Sequence, residues 1–220
     1  MFDYRTPVSK RIMNALDAGS DIICVWSGVG SGKTFAMVEV ALELALTRKV
    51  VDPITGDTSP MKILLVAETE PKLKANLWVE ADTIFSQVQG AHNCAKSGEL
   101  YWTLPGGAEV HFKPFKVYVN GKNNLEGQKY AVILSDETFE LHESWYEIST
   151  ERARLPNVSY VSNGRYNGQL VWCGRPQAND NFLRNAKSQA EAGAKVEFIH
   201  EPTTSNEMLG DVEGYMERIR

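Results

Sequence analysis

The stretch Ser27-Gly28-Val29-Gly30-Ser31-Gly32-Lys33-Thr34 decides the fold of this chain. Residues 21–26 (DIICVW) before it have the apolar, β-branched character of a buried strand, and residues 35–46 after it form a long apolar segment typical of a helix. A glycine-rich turn between a strand and a helix binds phosphate, because its backbone N–H groups can point at phosphate oxygens. The positive end of the helix dipole adds to that attraction.

This stretch matches the phosphate-binding loop of P-loop NTPases with one departure. The usual pattern, G-x-x-x-x-G-K-[ST], has glycine where this chain has Ser27, at the outermost turn of the loop. We expect Lys33 to reach the β- and γ-phosphates and assist catalysis, and Thr34 to offer its hydroxyl to Mg²⁺. The alternative is a glycine-rich connection that only happens to end in Gly-Lys-Thr, which the flanking strand and helix disfavour. The predicted nucleotide-binding residues are Ser27, Gly28, Val29, Gly30, Ser31, Gly32, Lys33 and Thr34.

A second motif places two carboxylates at the end of another strand. Residues 130–135 (YAVILS) form an apolar strand pattern that is followed directly by Asp136 and Glu137. Ligands of open α/β folds bind at the carboxyl ends of the strands. We therefore expect Asp136 to hold Mg²⁺ through water and Glu137 to orient and polarise the attacking water. Two acids at a helix start are also ordinary capping residues, but the phosphate loop upstream favours the catalytic interpretation.

The spacing of the two motifs predicts the fold class. Enough residues separate Lys33 from Asp136 for a helix, a strand at 61–67, a second helix and a β-hairpin at 99–119. This favours a three-layer α/β P-loop NTPase of the additional-strand, catalytic-glutamate type over small kinases and GTPases. We predict a central, mostly parallel sheet with an inserted β-hairpin, in a single ATPase domain over residues 1–220. The other predicted elements are a short helix before residue 19, a helix from 71 to 88, a helix from 139 to 154, a strand at 168–174, a helix near 179–192, a strand at 196–199 and a final helix.

Composition limits the remaining possibilities. The chain has 220 residues, of which 43% are hydrophobic and 23% charged, a profile typical of a globular protein. Its net charge of −5 means that contact with DNA would need a local patch. The segment with Lys113, Lys116, Lys122 and Lys129 is the candidate, and a solvated hairpin flank is the favoured alternative. The three widely spaced cysteines indicate reduced thiols. The N-terminus shows no apolar signal core, and no apolar run reaches the roughly 18 residues needed to span a membrane, so we expect no membrane association.

These motifs resemble those of a known family, the ATPase domain of the large terminase subunit of tailed bacteriophages. In that family, the large subunit is the motor that packages DNA into the capsid. The irregular phosphate loop is similar, as is Ile133-Leu134-Ser135-Asp136-Glu137. Residues 124–128 (NLEGQ) resemble the family's L-R-G stretch, with Glu126 where arginine is common. Residues 203–209 resemble its Thr…Asn-Pro-x-Leu stretch. The strand end at 172–176 resembles the coupling motif that senses hydrolysis, which makes Cys173, Gly174 and Arg175 candidates for coupling.

The resemblance implies cofactors and partners as well. It implies ATP with Mg²⁺, translocation of double-stranded DNA into a procapsid, a homo-oligomeric ring on a portal, a small terminase subunit, and a place in the host cytoplasm. A neighbouring subunit of such rings supplies an arginine to the γ-phosphate. Arg152 and Arg154 are the candidates here, although the helix dipole also favours cations at these positions. Ser9 and Lys10 stand where the family often has an adenine-reading glutamine.

Two further expectations follow from the resemblance. The family's RNase H-like nuclease domain has no room within 220 residues, so we expect it to be absent and residues 200–220 to begin a linker towards it.

Two other functions stay open for this chain. One is a helicase-like or other DNA-dependent P-loop ATPase, and the other is a nucleotide-binding assembly module without turnover.

Overall fold

A computed structural model describes residues 6–28, 30–52, 54–96, 99–118, 122–153, 155, 168–174 and 181–201. The helices are α1 (Pro7–Asp17), α2 (Lys33–Thr47), α3 (Glu70–Leu73), α4 (Val79–Phe85), α5 (Trp145–Arg152) and α6 (Asn181–Glu191). The strands are β1 (Ile22–Ser27), β2 (Lys49–Val51), β3 (Thr58–Pro60), β4 (Lys62–Ala67), β5 (His92–Lys96), β6 (Glu99–Thr103), β7 (Glu109–Pro114), β8 (Val132–Ser135), β9 (Gln169–Gly174) and β10 (Val196–Glu201).

One eight-stranded sheet, in the order β10-β1-β9-β8-β4-β7-β6-β5, carries the fold. Neighbouring strands are parallel from β10 through β7, and β6 pairs antiparallel with both of its neighbours, β7 and β5. The apolar sequences of β1, β4 and β9 suit strands that are covered on both faces. Strand β9 lies between β1 and β8, so the additional strand separates the two strands that lead into the predicted motifs.

Helices cover both faces of the sheet and create two hydrophobic layers. On one face, α1, α2 and α4 pack through Ile12, Met37 and Phe85 against strand residues that include Val25 and Leu65. The other layer is formed by α5 and α6, whose buried side chains meet strand residues such as Cys24, Leu64 and Trp172. The predicted three-layer α/β fold with a mostly parallel sheet is therefore confirmed.

The predicted hairpin is present, but it joins the main sheet. Its second strand, β7, pairs in parallel with β4, with Ile63 opposite Val110. Its first strand, β6, pairs with β5, which the sequence did not predict. A second, two-stranded sheet is formed by the antiparallel pair β2–β3, which the sequence did not predict.

Two predicted helices differ from the structure. The helix expected from residue 139 onward is a 3₁₀ turn, Thr138–Glu140, followed by the separate helix α5. The two are separated because Leu141 has an extended backbone, with φ −73° and ψ 152°. The helix expected over 71–88 contains a π-helical segment, Lys74–Trp78, between α3 and α4. The predicted final helix and the stretch 203–209 lie outside the described residues.

Among the described residues, the longest helices are too short or too polar to span a bilayer.

Candidate nucleotide-binding site

The phosphate loop connects β1 to α2 at the carboxyl edge of the sheet. Gly30 and Gly32 have positive φ values of 77° and 81°, a backbone region that favours glycine. Gly32 is the N-cap of α2, and no side chain of the described residues caps this helix. By contrast, Thr6 caps α1 and Thr69 caps α3. The N-terminus of α2 therefore directs backbone N–H groups and the helix dipole at the loop, the arrangement that binds anions.

Lys33 lies against its own loop. Its ammonium Nζ donates hydrogen bonds to the carbonyl oxygens of Ser27, at 3.2 Å, and Gly28, at 3.0 Å. Only 6% of Lys33 is exposed. The Lys33 ammonium is thus held at the phosphate loop itself, where the phosphates are predicted to bind. Val29, the remaining predicted loop residue, lies outside the described residues.

The loop also contains a contact that sequence reasoning missed. The hydroxyl oxygens of Ser27 and Ser31 are 2.7 Å apart and share a hydrogen bond. The irregular first position of the motif therefore has a partner within the loop. The two serines, four residues apart, were the only signal for it in the sequence.

The two motifs meet through Thr34 and Asp136. The Thr34 hydroxyl donates a hydrogen bond of 3.1 Å to Asp136 Oδ2, and the backbone N–H of Glu137 donates one of 3.1 Å to Asp136 Oδ1. Burial is the main cause that raises the pKa of Asp136 to about 6, and the charge of Glu137 adds to it. The Thr34 hydrogen bond and the charge of Lys33 act in the opposite direction.

The Thr34 hydroxyl and the Asp136 carboxylate fit a magnesium site. Both are oxygen ligands of the kind that Mg²⁺ prefers, and they lie side by side. The described residues contain no group of three or more His, Cys, Asp or Glu that would hold a metal by themselves. In nucleotide sites, Mg²⁺ usually keeps several waters and is bound by one or two carboxylates together with the substrate phosphates.

Glu137 has an unusual backbone. Its φ of 42° and ψ of 52° are left-handed, and it is the one non-glycine residue with positive φ in the described part of the chain. Such conformations cost free energy and persist only where neighbouring structure enforces them. The Ser135 hydroxyl lies 3.0 Å from the Thr138 hydroxyl, which also donates to the Ser135 carbonyl at 3.1 Å. These contacts hold the turn that presents Glu137.

A lysine from another element fixes the end of the same turn. Lys72 Nζ lies 2.6 Å from Glu140 Oε2 and 2.7 Å from Glu68 Oε2. The hydrogen bonds to Glu140 first, and then to Glu68, raise the pKa of Lys72 above its usual value. The ion pair with Glu140 connects α3 to the 3₁₀ turn that follows Glu137. Sequence reasoning missed this link because Lys72 and Glu140 are far apart in the chain.

The predicted coupling strand ends beside the turn of Glu137. Cys173 is fully buried, and burial raises the pKa of its thiol well above the usual value. A Cβ atom added to Gly174 would lie 3.1 Å from Phe139 Cδ1 in the 3₁₀ turn. The end of β9 and the turn after the two acids are therefore in close contact. Arg175 lies outside the described residues.

The structure does not bring Arg152 to the phosphate loop of its own chain. Arg152 ends α5, and its backbone carbonyl accepts a 2.9 Å hydrogen bond from the N–H of Tyr130, before the start of β8. Asp136 lies at the opposite end of β8. The Arg152 side chain is 18% exposed and lies 3.6 Å from Glu151, so little of it faces solvent in this conformation. Its role in a neighbouring subunit stays a prediction, and Arg154 lies outside the described residues.

Two other predicted contact regions have defined positions. Ser9 is buried, and its hydroxyl donates a 2.6 Å hydrogen bond to Glu39 on α2, which fixes α1 against the helix of the phosphate loop. In the basic segment, Lys116, Lys122 and Lys129 are exposed and Lys113 is half-buried. DNA contact by this segment stays a prediction.

Together, the fold and the site define a P-loop nucleotide-binding domain with an additional strand between its two motif strands. Residues 24–156 match the family described as terminase large subunit, T4likevirus-type, N-terminal. This chain belongs to that family, as the resemblance predicted. No curated protein sequence matches the chain.

Solved structures of large terminases share the fold. The large terminase of a thermophilic bacteriophage has a TM-score of 0.71 at 14% identity, over 99% of this chain and 51% of that one. The complex of the same phage's large terminase with ATP-gamma-S has a TM-score of 0.65 at 16% identity, over 97% of this chain and 48% of that one. The large terminase ATPase domain of a Thermus phage has a TM-score of 0.55 at 13% identity, over 90% and 82% of the two chains. The chain thus spans about half the length of the first of these proteins.

Proposed function

We propose that this chain is an ATPase that drives the translocation of double-stranded DNA into a procapsid. One observation carries the proposal: the Thr34 hydroxyl of the phosphate loop is hydrogen-bonded to Asp136, and Glu137 follows directly at the same sheet edge. Membership of the terminase large-subunit family supports it. The ATP-gamma-S complex of a large terminase with this fold supports ATP as the nucleotide.

In this proposal, nucleotide binding begins with an exchange of partners at Lys33. Its ammonium leaves the carbonyls of Ser27 and Gly28 and turns to the β- and γ-phosphates, while loop N–H groups bind phosphate oxygens. Thr34 and Asp136 would hold Mg²⁺, which neutralises phosphate charge when it is bound. Because burial raises the pKa of Asp136 only to about 6, this carboxyl is ionised and ready to bind a cation at neutral pH.

Hydrolysis in this proposal depends on Glu137. Its carboxylate orients a water molecule towards the γ-phosphate and accepts the proton as the water attacks. The left-handed backbone fixes the direction of the side chain, and the contacts of Thr138 and Glu140 hold the turn in place. A change at this turn would reach β9 through the contact of Phe139 with Gly174. We propose this contact, with Cys173 and Arg175, as the route by which hydrolysis is coupled to movement.

The partners belong to the same proposal. Residues 1–220 act as one ATPase domain, and copies of it form a ring around DNA on a portal, together with a small terminase subunit, in the host cytoplasm. A neighbouring subunit then supplies the arginine that stabilises transition-state charge, for which Arg152 and Arg154 are the candidates. Such an arginine contributes roughly 10³–10⁵ in rate. Turnover by isolated subunits is therefore expected to be slow.

The experiment that tests this function measures ATP turnover per subunit against protein concentration, with and without double-stranded DNA. We expect turnover per subunit to rise steeply with concentration and to rise further with DNA. Turnover that is constant over concentration and indifferent to DNA would contradict a DNA-translocating ring. Nucleotide binding without any turnover at high concentration would indicate an assembly module, and strand displacement would indicate a helicase-like ATPase.

A further inference from the structure

The phosphate loop contains a buried pair of hydroxyls that the usual motif lacks. Ser27 is the last residue of β1, and Ser31 is the fifth residue of the loop. Ser27 is 0% exposed and Ser31 is 1% exposed, and their hydroxyl oxygens are 2.7 Å apart. Glycine, the usual residue at the first position, has no side chain and makes no such contact. The hydrogen bond therefore connects the first residue of the loop to its fifth residue, a contact that glycine at the first position cannot make.

This hydrogen bond does not depend on Lys33, whereas the other strong contacts within the loop do. Lys33 Nζ donates to the carbonyls of Ser27 and Gly28, and it must leave both to reach a phosphate. A further described contact, from the N–H of Ser31 to the carbonyl of Gly28, is long at 3.4 Å. When Lys33 changes partner, the shorter Ser27–Ser31 hydrogen bond still holds the first half of the loop closed.

We propose that Ser27 and Ser31 are positioning residues that keep the loop in its phosphate-binding shape while Lys33 exchanges carbonyls for phosphates. This inference rests on the proposed function and adds to it a determinant of nucleotide affinity. The two buried hydroxyls satisfy each other, so removing one leaves the other without this partner. Removing both avoids that cost, and the effects of the two substitutions should therefore be less than multiplicative.

The test uses Ser27→Ala, Ser31→Ala, the double variant and Ser27→Gly, which restores the usual motif. Ser149→Ala is the matched control, because its buried hydroxyl bonds only locally, to the carbonyl of Tyr146 on α5. The measurements are the Kd for ADP by isothermal titration, and KM and kcat for ATP. We expect each single alanine variant to raise Kd and KM about tenfold, as for the loss of one buried hydrogen bond, and by a larger factor than kcat falls.

The double variant is expected to raise Kd by a factor well below the product of the two single effects. Ser27→Gly should also bind ADP more weakly than wild type, and because glycine is the usual residue, misfolding would not explain the loss. Wild-type affinity in Ser27→Gly and both alanine variants, or effects that multiply in the double variant, would overturn the positioning role. If wild type itself neither binds ADP nor hydrolyses ATP, the proposed function fails, and the positioning role falls with it.

Discussion

Replacing Asp136 with Asn should make the nucleotide-free protein more stable at neutral pH. Asp136 is 4% exposed, and burial together with the charge of Glu137 raises its pKa from 3.8 to about 6. A shift of about 2 pKa units corresponds to about 3 kcal/mol of unfavourable free energy for the ionised carboxylate in the folded protein. Asparagine carries no charge, and its oxygen can still accept from the Glu137 N–H while its amide faces the Thr34 hydroxyl.

The effect has a definite pH dependence. Because the folded-state pKa lies above the unfolded value, the folded protein binds this proton more tightly than the unfolded chain does. The contribution of Asp136 is small below about pH 4, becomes unfavourable as the pH rises from about 4 to 6, and stays constant above that. The stability gained by Asp136→Asn should therefore be about 3 kcal/mol at pH 8, roughly half of that at pH 5, and close to zero at about pH 3.

Urea denaturation of both proteins at pH 8 and pH 5 measures this difference. Asp82→Asn is the control, since Asp82 is an exposed residue of α4 that undergoes the same chemical change. Its free energy of unfolding should stay within about 0.5 kcal/mol of wild type. Equal stability of Asp136→Asn and wild type at pH 8, or a gain that does not shrink at pH 5, would contradict a destabilising charge at Asp136. The same variant should lose Mg²⁺-dependent turnover. The ionised Asp136 would then lower the stability of the folded protein while being required for its activity.

Three other substitutions test neighbouring parts of the site. Lys33→Ala should raise the Kd for ATP at least about tenfold, since the cation predicted to bind the phosphates is lost; unchanged binding in a titration would contradict that role. Gly174→Ala places a methyl group 3.1 Å from Phe139 Cδ1, so we expect about 1 kcal/mol lower stability in denaturation and slower turnover. Full turnover in this variant would argue against coupling through Phe139. Lys72→Met removes the ion pairs to Glu140 and Glu68; stability should change by less than about 1 kcal/mol while kcat falls, and an unaffected kcat would show that the turn does not need Lys72.

The parts of the fold that local patterns specify were predictable. The apolar runs of β1, β4, β8 and β9 marked buried strands, because parallel strands covered on both faces need continuous hydrophobic sequence. The phosphate loop was recognisable because few residue types satisfy its backbone geometry. From these strands alone, Asp136 could be placed at the same sheet edge as Lys33.

The parts that the sequence did not reveal depend on contacts between distant residues or on unusual backbone. Strand β5 contains polar residues such as His92 and Asn93 and forms only by pairing with β6 at the sheet edge. The break between the 3₁₀ turn and α5 reflects the extended backbone of Leu141, and the turn itself follows a left-handed Glu137, a conformation that glutamate rarely adopts. Local propensity therefore predicted a continuous helix. The Lys72–Glu140 ion pair connects elements that only the folded sheet brings together.

The catalytic role of Glu137 is tested most directly by following one round of hydrolysis of bound ATP. Wild type, Glu137→Gln and the control Glu143→Gln, an exposed glutamate before α5, are mixed with limiting ATP and quenched over time. Wild type and Glu143→Gln should convert bound ATP to ADP at similar rates. Glu137→Gln should bind ATP but convert it roughly 10²–10⁴-fold more slowly, as expected for the loss of a general base. Conversion by Glu137→Gln at the wild-type rate would contradict the assignment of this site as hydrolytic through Glu137.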